Sequence, residues 1–508
     1  MKGVDAEVSA NTEVAVKGSA DGDEVIVSNE VTNPQGLGIF RLVTTVITLI
    51  IGSGIFIFVG DVAAMANTGA VLTGWAISLA GVFCLMMCFY GLSRVRPELK
   101  GGIYSYASAG FGDYMGFNSA WGYWISALLT PVSYIALLFA ILSNFFPVFG
   151  EGTNVVSLIC ASIIVWFYVF LVSRGIKEVT GINAVITIGK IVPILTVVVL
   201  ILVMQKFDPA IFLNNFWGEV GGPDFFEQVK GTLIVTIWVF IGIEGAVAIS
   251  GRARKASDVG RATTISFACV CIIYLAVSLL SMGVMPREQL AELASPSLAG
   301  VLDAVIGPAG STIVSIGLII SLAGALLGYI VLSSETPHEA ATEGVFPVGF
   351  AKVNKHGAPI VTLLVTAALI QGFLVLMLFS SATYQFFYTI SVGMILIPYL
   401  LSSAYFLKLV FKKDALKNRL STPCWKWKIV AIVGVLYSLF LMYATGLSGL
   451  VITAILYAPG VFVYMLGKRE RGQLVFRKLS DKIILAVILM LFVVAIILFA
   501  TGQVELFG

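Results

Sequence analysis

Charge is what this sequence has least of. Only 12% of its 508 residues are charged, against 58% apolar. Soluble domains usually carry about a quarter charged residues and fewer than half apolar. A chain this apolar cannot enclose its surface in one water-soluble core, so the bilayer has to act as solvent. Histidine is equally sparse, with His338 and His356 alone, both in the 334–358 connection, which makes a histidine proton relay a poor prospect. The six cysteines lack His or Cys partners at metal-ligand spacing; Cys84 and Cys88 share one apolar stretch, Cys269 and Cys271 another. They read as small buried side chains, and no metal or cofactor is expected. Paired acids and nucleotide-binding glycine loops are missing as well, which argues against a membrane enzyme and an ATP-driven pump. No pore-lining repeat or filter marks an ion channel.

Residues 1–36 hold two lysines and seven acids, with no apolar run before Leu37. This composition predicts a disordered, solvated tail rather than a secretory signal, and its acidity disfavours nucleic acid as a partner.

What fills the rest is long apolar runs. A spanning helix needs about 20 such residues. The runs fall at 37–66, 70–93, 116–146, 154–173, 182–204, 230–250, 262–284, 305–333, 359–380, 384–407, 429–446, 449–467 and 483–501. Strand alternation is absent, so the expected fold is an all-α membrane bundle of about thirteen spans. Basic residues sort onto alternate connections: 24 lie on one set, including Arg94, Arg96, Arg174, Lys352, Lys408 and Lys468, against Lys206, Lys230 and Arg287 on the other. Positive-inside bias then places the N-terminus in the cytoplasm and the short C-terminal tail outside.

Two spans are interrupted. Gly52-Ser53-Gly54 breaks the first, and Gly242-Ile243-Glu244-Gly245 the sixth. Each glycine weakens a helix by about 1 kcal/mol and permits close approach of the backbone; a single such pair more often serves packing. Breaks five spans apart fit an inverted five-plus-five repeat, with residues 37–204 as the first repeat, 230–411 as the second and 426–508 as additional helices. Paired discontinuous helices form midplane binding sites in such folds. Half-helix N-termini suit a carboxylate, and unwound carbonyls suit an ammonium group. Both groups are common to all amino acids.

Charges inside the spans are few. Glu244 lies in the second break, where a carboxylate costs about 2.5–3.5 kcal/mol or more unless it faces a partner or polar path. It reads as a gate, substrate or proton group, or as a structural acid. Lys190, some eight residues into span five, reads as a fixed ammonium in place of a bound sodium ion, or as a structural partner for an acid or carbonyls. Arg41 opens span one at the interface. Trp238, Tyr123 and Trp124 are aromatics of the kind that pack or form interfacial belts, though aromatic faces also hold cationic side chains.

These residues together resemble the amino acid–polyamine–organocation superfamily, and within it the basic amino acid/polyamine antiporters. The likeness rests on Gly52-Ser53-Gly54-Ile55-Phe56, on Lys100-Gly101-Gly102-Ile103-Tyr104-Ser105-Tyr106 through Gly122-Tyr123-Trp124, and on Trp238 through Glu244. Glu343-Gly344-Val345-Phe346-Pro347 and Val353 through Pro359 extend it, over residues 37–411. The overall look, including the thirteenth span, most resembles the arginine/ornithine antiporters. The resemblance implies that Ser53, Gly54, Ile241 and Gly242 hold the substrate carboxylate and amine, and that Trp238 stacks on its side chain. It further implies an outer gate of Tyr123, Glu244 and Tyr399, a distal pocket lined by Ser126 and Ser391, and Lys190 standing in for sodium. Two positions depart from the family pattern. Tyr329 replaces a second pocket tryptophan, and Pro131 replaces an asparagine facing the substrate's far end, removing a backbone N–H too.

The expected activity is therefore sodium-independent exchange of a basic amino acid, arginine, for ornithine or a related product in the bacterial inner membrane. Exchange of histidine or tyrosine with its decarboxylated amine, or proton-coupled uptake, are the alternatives. The last helix and the basic 468–482 connection fit either a homodimer contact or an anchor in lipid.

Overall fold

The computed structural model describes residues 38–99, 102–175, 180–219, 221–244, 256–379, 383–412 and 424–503. The acidic segment 1–36, Gly245 and the basic residues 252–255 lie outside them. All regular structure among the described residues is helical.

The first span is two helices, α1 (Ile39–Ile50) and α2 (Gly54–Met65), separated by Ile51, Gly52 and Ser53. Continuous spans follow as α3 (Thr68–Val95), α5 (Asp113–Leu142), α6 (Val155–Ser173) and α7 (Thr180–Val203), with the short α4 (Ile103–Phe111) between α3 and α5. After the short α8 (Pro209–Leu213) comes α9 (Phe225–Phe240), the described part of the second interrupted span. Asp224 caps α9 by accepting from the Glu227 N–H, satisfying one of the orphan donors of the first turn.

The chain continues through α10 (Ala256–Ser281), the short α11 (Arg287–Ala291) and α12 (Ser297–Ile306), then α13 (Pro308–Thr342), α14 (Ile360–Met377) and α15 (Tyr384–Phe411). It ends with α16 (Cys424–Ala444), α17 (Gly446–Glu470) and α18 (Leu479–Ala500). Among the described residues, eleven helices are long and apolar enough to span a bilayer; with the two interrupted spans they account for all thirteen runs. The protein is a multi-pass membrane protein. The short helices α4, α11 and α12 were not signalled by the apolar runs, because they lie in the connections.

Burial separates scaffold from lipid-facing helices. In the apolar stretch of α5, 89% of residues are buried; in α18 the share is 6%. α5 packs against α13 and α15, while α18 packs chiefly on α17. Ile159, Ile163, Phe167 and Phe170 project outward from α6, as expected where hydrocarbon rather than water is the solvent.

The basic connections meet at one end of the bundle. Lys468 pairs with Asp113 at 2.8 Å, Lys408 donates to Gly110 O at 2.7 Å, and Arg96 reaches Tyr405. Arg471 donates to Phe346 O and Ala341 O, both at 2.6 Å. Arg287 sits at the opposite end, donating to Ala63 O and to Asn67 Oδ1.

Candidate functional site

The two helix breaks touch. A Cβ on Gly54 would lie 2.7 Å from Val239 Cγ1 and 3.0 Å from Trp238 Cδ1, so only glycine allows the start of α2 to rest against the end of α9. Gly242, at φ +109°, turns the chain out of α9; L side chains seldom adopt that conformation. One hydroxyl joins the breaks from the side: Tyr274 Oη, on α10, lies 3.2 Å from Ile50 O and 3.1 Å from Val239 O. Both carbonyls sit at helix ends, where no intrahelical donor remains for them.

Aromatic rings wall this junction. Trp238 stacks on Tyr388 with centroids 5.0 Å apart at 27°. Tyr134 meets Trp238 edge-on at 6.2 Å and Tyr329 edge-on at 5.6 Å. Such tilted and offset arrangements are the favoured ones for aromatic pairs. Within the wall, the Trp238 indole N–H and the Ser53 hydroxyl are buried without a hydrogen-bond partner. Each such group costs about 1–3 kcal/mol, which makes the breaks the place where a polar solute would repay binding.

On the side of the breaks facing the basic connections, Glu244 gathers three donors. Tyr399 reaches its Oε2 at 2.6 Å, the Gly242 N–H reaches the same oxygen at 3.1 Å, and Tyr123 reaches Oε1 at 3.2 Å. The structure thus brings together Tyr123, Glu244 and Tyr399. Tyr399 is nine residues before Lys408 on α15, so these side chains lie toward the end where the basic connections meet.

Ser126 and Ser391 also meet, hydroxyl to hydroxyl at 2.9 Å, with Thr130 Oγ1 3.0 Å from Ser391 Oγ. They interlock α5 and α15 and satisfy one another. α5 runs through Pro131 without ending. Lys190 is buried in α7, on a helix that packs against α10 and α13.

Three residues at or near the breaks are not marked by the motifs: Asp61, Tyr134 and Tyr274. For Asp61 the sequence does hold a signal, since it is an acid inside the apolar run Gly54–Met65, and the reasoning applied to Glu244 covers it equally. It is 7% exposed and hydrogen-bonded to Gln385, Tyr388 and Tyr384. The two tyrosines offer no such signal, because their partners stand on remote spans.

A family model described as amino acid permease matches residues 37–450. This chain belongs to the amino acid permease family. It is 43% identical over 464 residues to an arginine/ornithine antiporter of Pseudomonas aeruginosa, covering 90% of this chain and 95% of that one. A putative arginine/ornithine antiporter of Escherichia coli is 39% identical over 85% of this chain and 92% of its own. An arginine/agmatine antiporter of Chlamydia abortus is 36% identical over 95% of this chain and all of its own. Membership makes the protein a transporter with small-molecule amino acids as its substrates.

Proposed function

We propose that this protein is a sodium-independent amino-acid antiporter of the bacterial cytoplasmic membrane that exchanges arginine for ornithine by alternating access. The contact of the two helix breaks carries the reading. Gly54 on α2 presses against Trp238 and Val239 on α9, which sets the free N–H groups of α2 beside the unwound carbonyls after α9. That pairing offers a carboxylate site and an ammonium site side by side. The names of the relatives above point the same way on cargo.

In this reading residues 37–204 and 230–411 form the inverted repeats, and 426–508 adds peripheral helices. The N-terminus is cytoplasmic. Ser53, Gly54, Ile241 and Gly242 hold the amino-acid backbone, Trp238 and Tyr329 bracket the side chain, and Tyr123, Glu244 and Tyr399 close the inner path. Lys190 supplies a fixed charge in place of sodium. Because both substrates occupy one site in turn, the gradient of one drives the other and no covalent step is needed.

The aromatic pair Tyr134–Tyr329 favours one second reading, exchange of histidine or tyrosine with its decarboxylated amine. Counterflow in proteoliposomes separates the two. Vesicles loaded with unlabelled arginine or ornithine should take up labelled arginine rapidly, and empty vesicles should not. Uptake confined to histidine or tyrosine would move the cargo to the second reading, and no counterflow with any amino acid would overturn antiport.

A further inference from the structure

We infer that Asp61 is the residue that recognises the side-chain cation of a basic amino acid on the outer side of Trp238, before the substrate reaches the helix breaks. The inference rests on the antiport reading above and adds a binding residue to it.

Asp61 sits on α2, seven residues beyond Gly54 and therefore about 10 Å along the helix from the break, toward the end opposite the basic connections. Its carboxylate is held by neutral groups. Oδ1 accepts from Gln385 Nε2 at 2.9 Å and from the Tyr384 hydroxyl at 3.4 Å, and Oδ2 accepts from the Tyr388 hydroxyl at 3.3 Å. All three donors belong to the first turns of α15, whose N-terminal partial charge favours an anion there. The donors fix the carboxylate's position without neutralising it. A buried carboxylate normally has a cation opposite it; here a guanidinium or ammonium would supply the missing charge, and a neutral solute would not.

The surroundings give that cation a route and a destination. Gln385 is exposed while Asp61 and Tyr388 are buried, so the cluster reaches the surface of that end through one of its donors. Tyr388, the innermost donor, is the ring on which Trp238 stacks. A cation drawn to Asp61 therefore arrives against the aromatic pair that separates the outer mouth from the breaks. Displacing the Tyr388 hydroxyl from Asp61 would loosen that stack, leading the substrate inward. Glu244 cannot serve this purpose, since it lies on the other side of the breaks, bound to Tyr399.

Citrulline, the neutral urea isostere of arginine, tests the inference. Exchange is measured from each side, in right-side-out and in inverted membrane vesicles, with arginine and citrulline competing for labelled arginine entry. In the wild type, arginine should be preferred from outside. Asp61→Asn keeps the shape and removes the charge; it should reduce the outside arginine-over-citrulline preference at least tenfold while leaving the inside preference within twofold. Asp61→Glu should retain the outside preference even if exchange slows, which guards against misfolding as the cause. An unchanged outside preference in Asp61→Asn, or equal losses from both sides, would overturn the inference while leaving antiport standing. Failure of the wild type to exchange any amino acid would instead remove the antiport reading, and this one with it.

Discussion

Tyr399 donates to Oε2 of Glu244 across 2.6 Å, tying the scaffold helix α15 to the turn that follows α9. Eleven residues earlier on the same helix, about 16 Å away, Tyr388 reaches Asp61 on α2. One helix thus holds a carboxylate from each interrupted span, on opposite sides of the breaks.

The inner cluster should behave as a unit. Tyr399→Phe and Glu244→Ala are each expected to slow exchange more than tenfold, and the double variant should be no slower than Glu244→Ala alone, because the two share one interaction. Proteoliposome exchange rates for the set give the answer; additive losses would mean that the residues act separately.

Gly54→Ala should abolish or severely weaken substrate binding, since the added methyl would meet Val239 and Trp238. Gly372→Ala, where nothing lies within 4 Å of an added Cβ, should be neutral or stabilising by up to about 1 kcal/mol. Thermal unfolding in detergent, with and without arginine, distinguishes them: arginine should raise the midpoint of Gly372→Ala as it does the wild type, and not that of Gly54→Ala.

Trp238→Ala should raise the KM for exchange more than tenfold and Trp238→Phe by much less, because a phenyl ring retains a face for both Tyr388 and the substrate. Initial rates over a range of arginine concentrations test the order.

How far the sequence speaks for itself depends on what kind of neighbour a residue needs. Span positions and the sidedness of the basic connections are legible because they follow from local composition. The breaks are legible for the same reason: glycine and an acid inside an apolar run are improbable without a purpose, and Gly54, Gly242 and Glu244 all prove to stand at the junction. Tyr274 and Tyr134 are not legible. A tyrosine in an apolar span looks alike whether it packs or donates, and the Tyr274 acceptor Ile50 O is 224 residues away. Ser126 and Ser391 show the converse, since their character predicts a polar role without saying that they satisfy each other. That the Glu244 cluster faces the basic end follows only once the direction of α15 is known.

Sodium should be irrelevant to the wild type, whose exchange is expected to be equal in sodium and choline buffers. Lys190→Ala should lose more than tenfold of the rate in both. Restoration of that variant by sodium would show that the cation site is still present beneath the lysine.

Orientation can be read from Cys424, the one exposed cysteine among the described residues, at the basic end of α16. A membrane-impermeant maleimide should label it in inverted vesicles and leave it untouched in right-side-out ones; the opposite pattern would reverse the topology.

Tyr274 has one proton and two carbonyls to give it to, one from each interrupted span. Any movement that parted α1 and α2 from α9 would strand one of those oxygens in hydrocarbon-like surroundings, at a penalty comparable to a lost buried hydrogen bond. α1, α9 and α10 are therefore joined at the breaks and should travel together as a single rocker, with the hydroxyl of Tyr274 as the rivet.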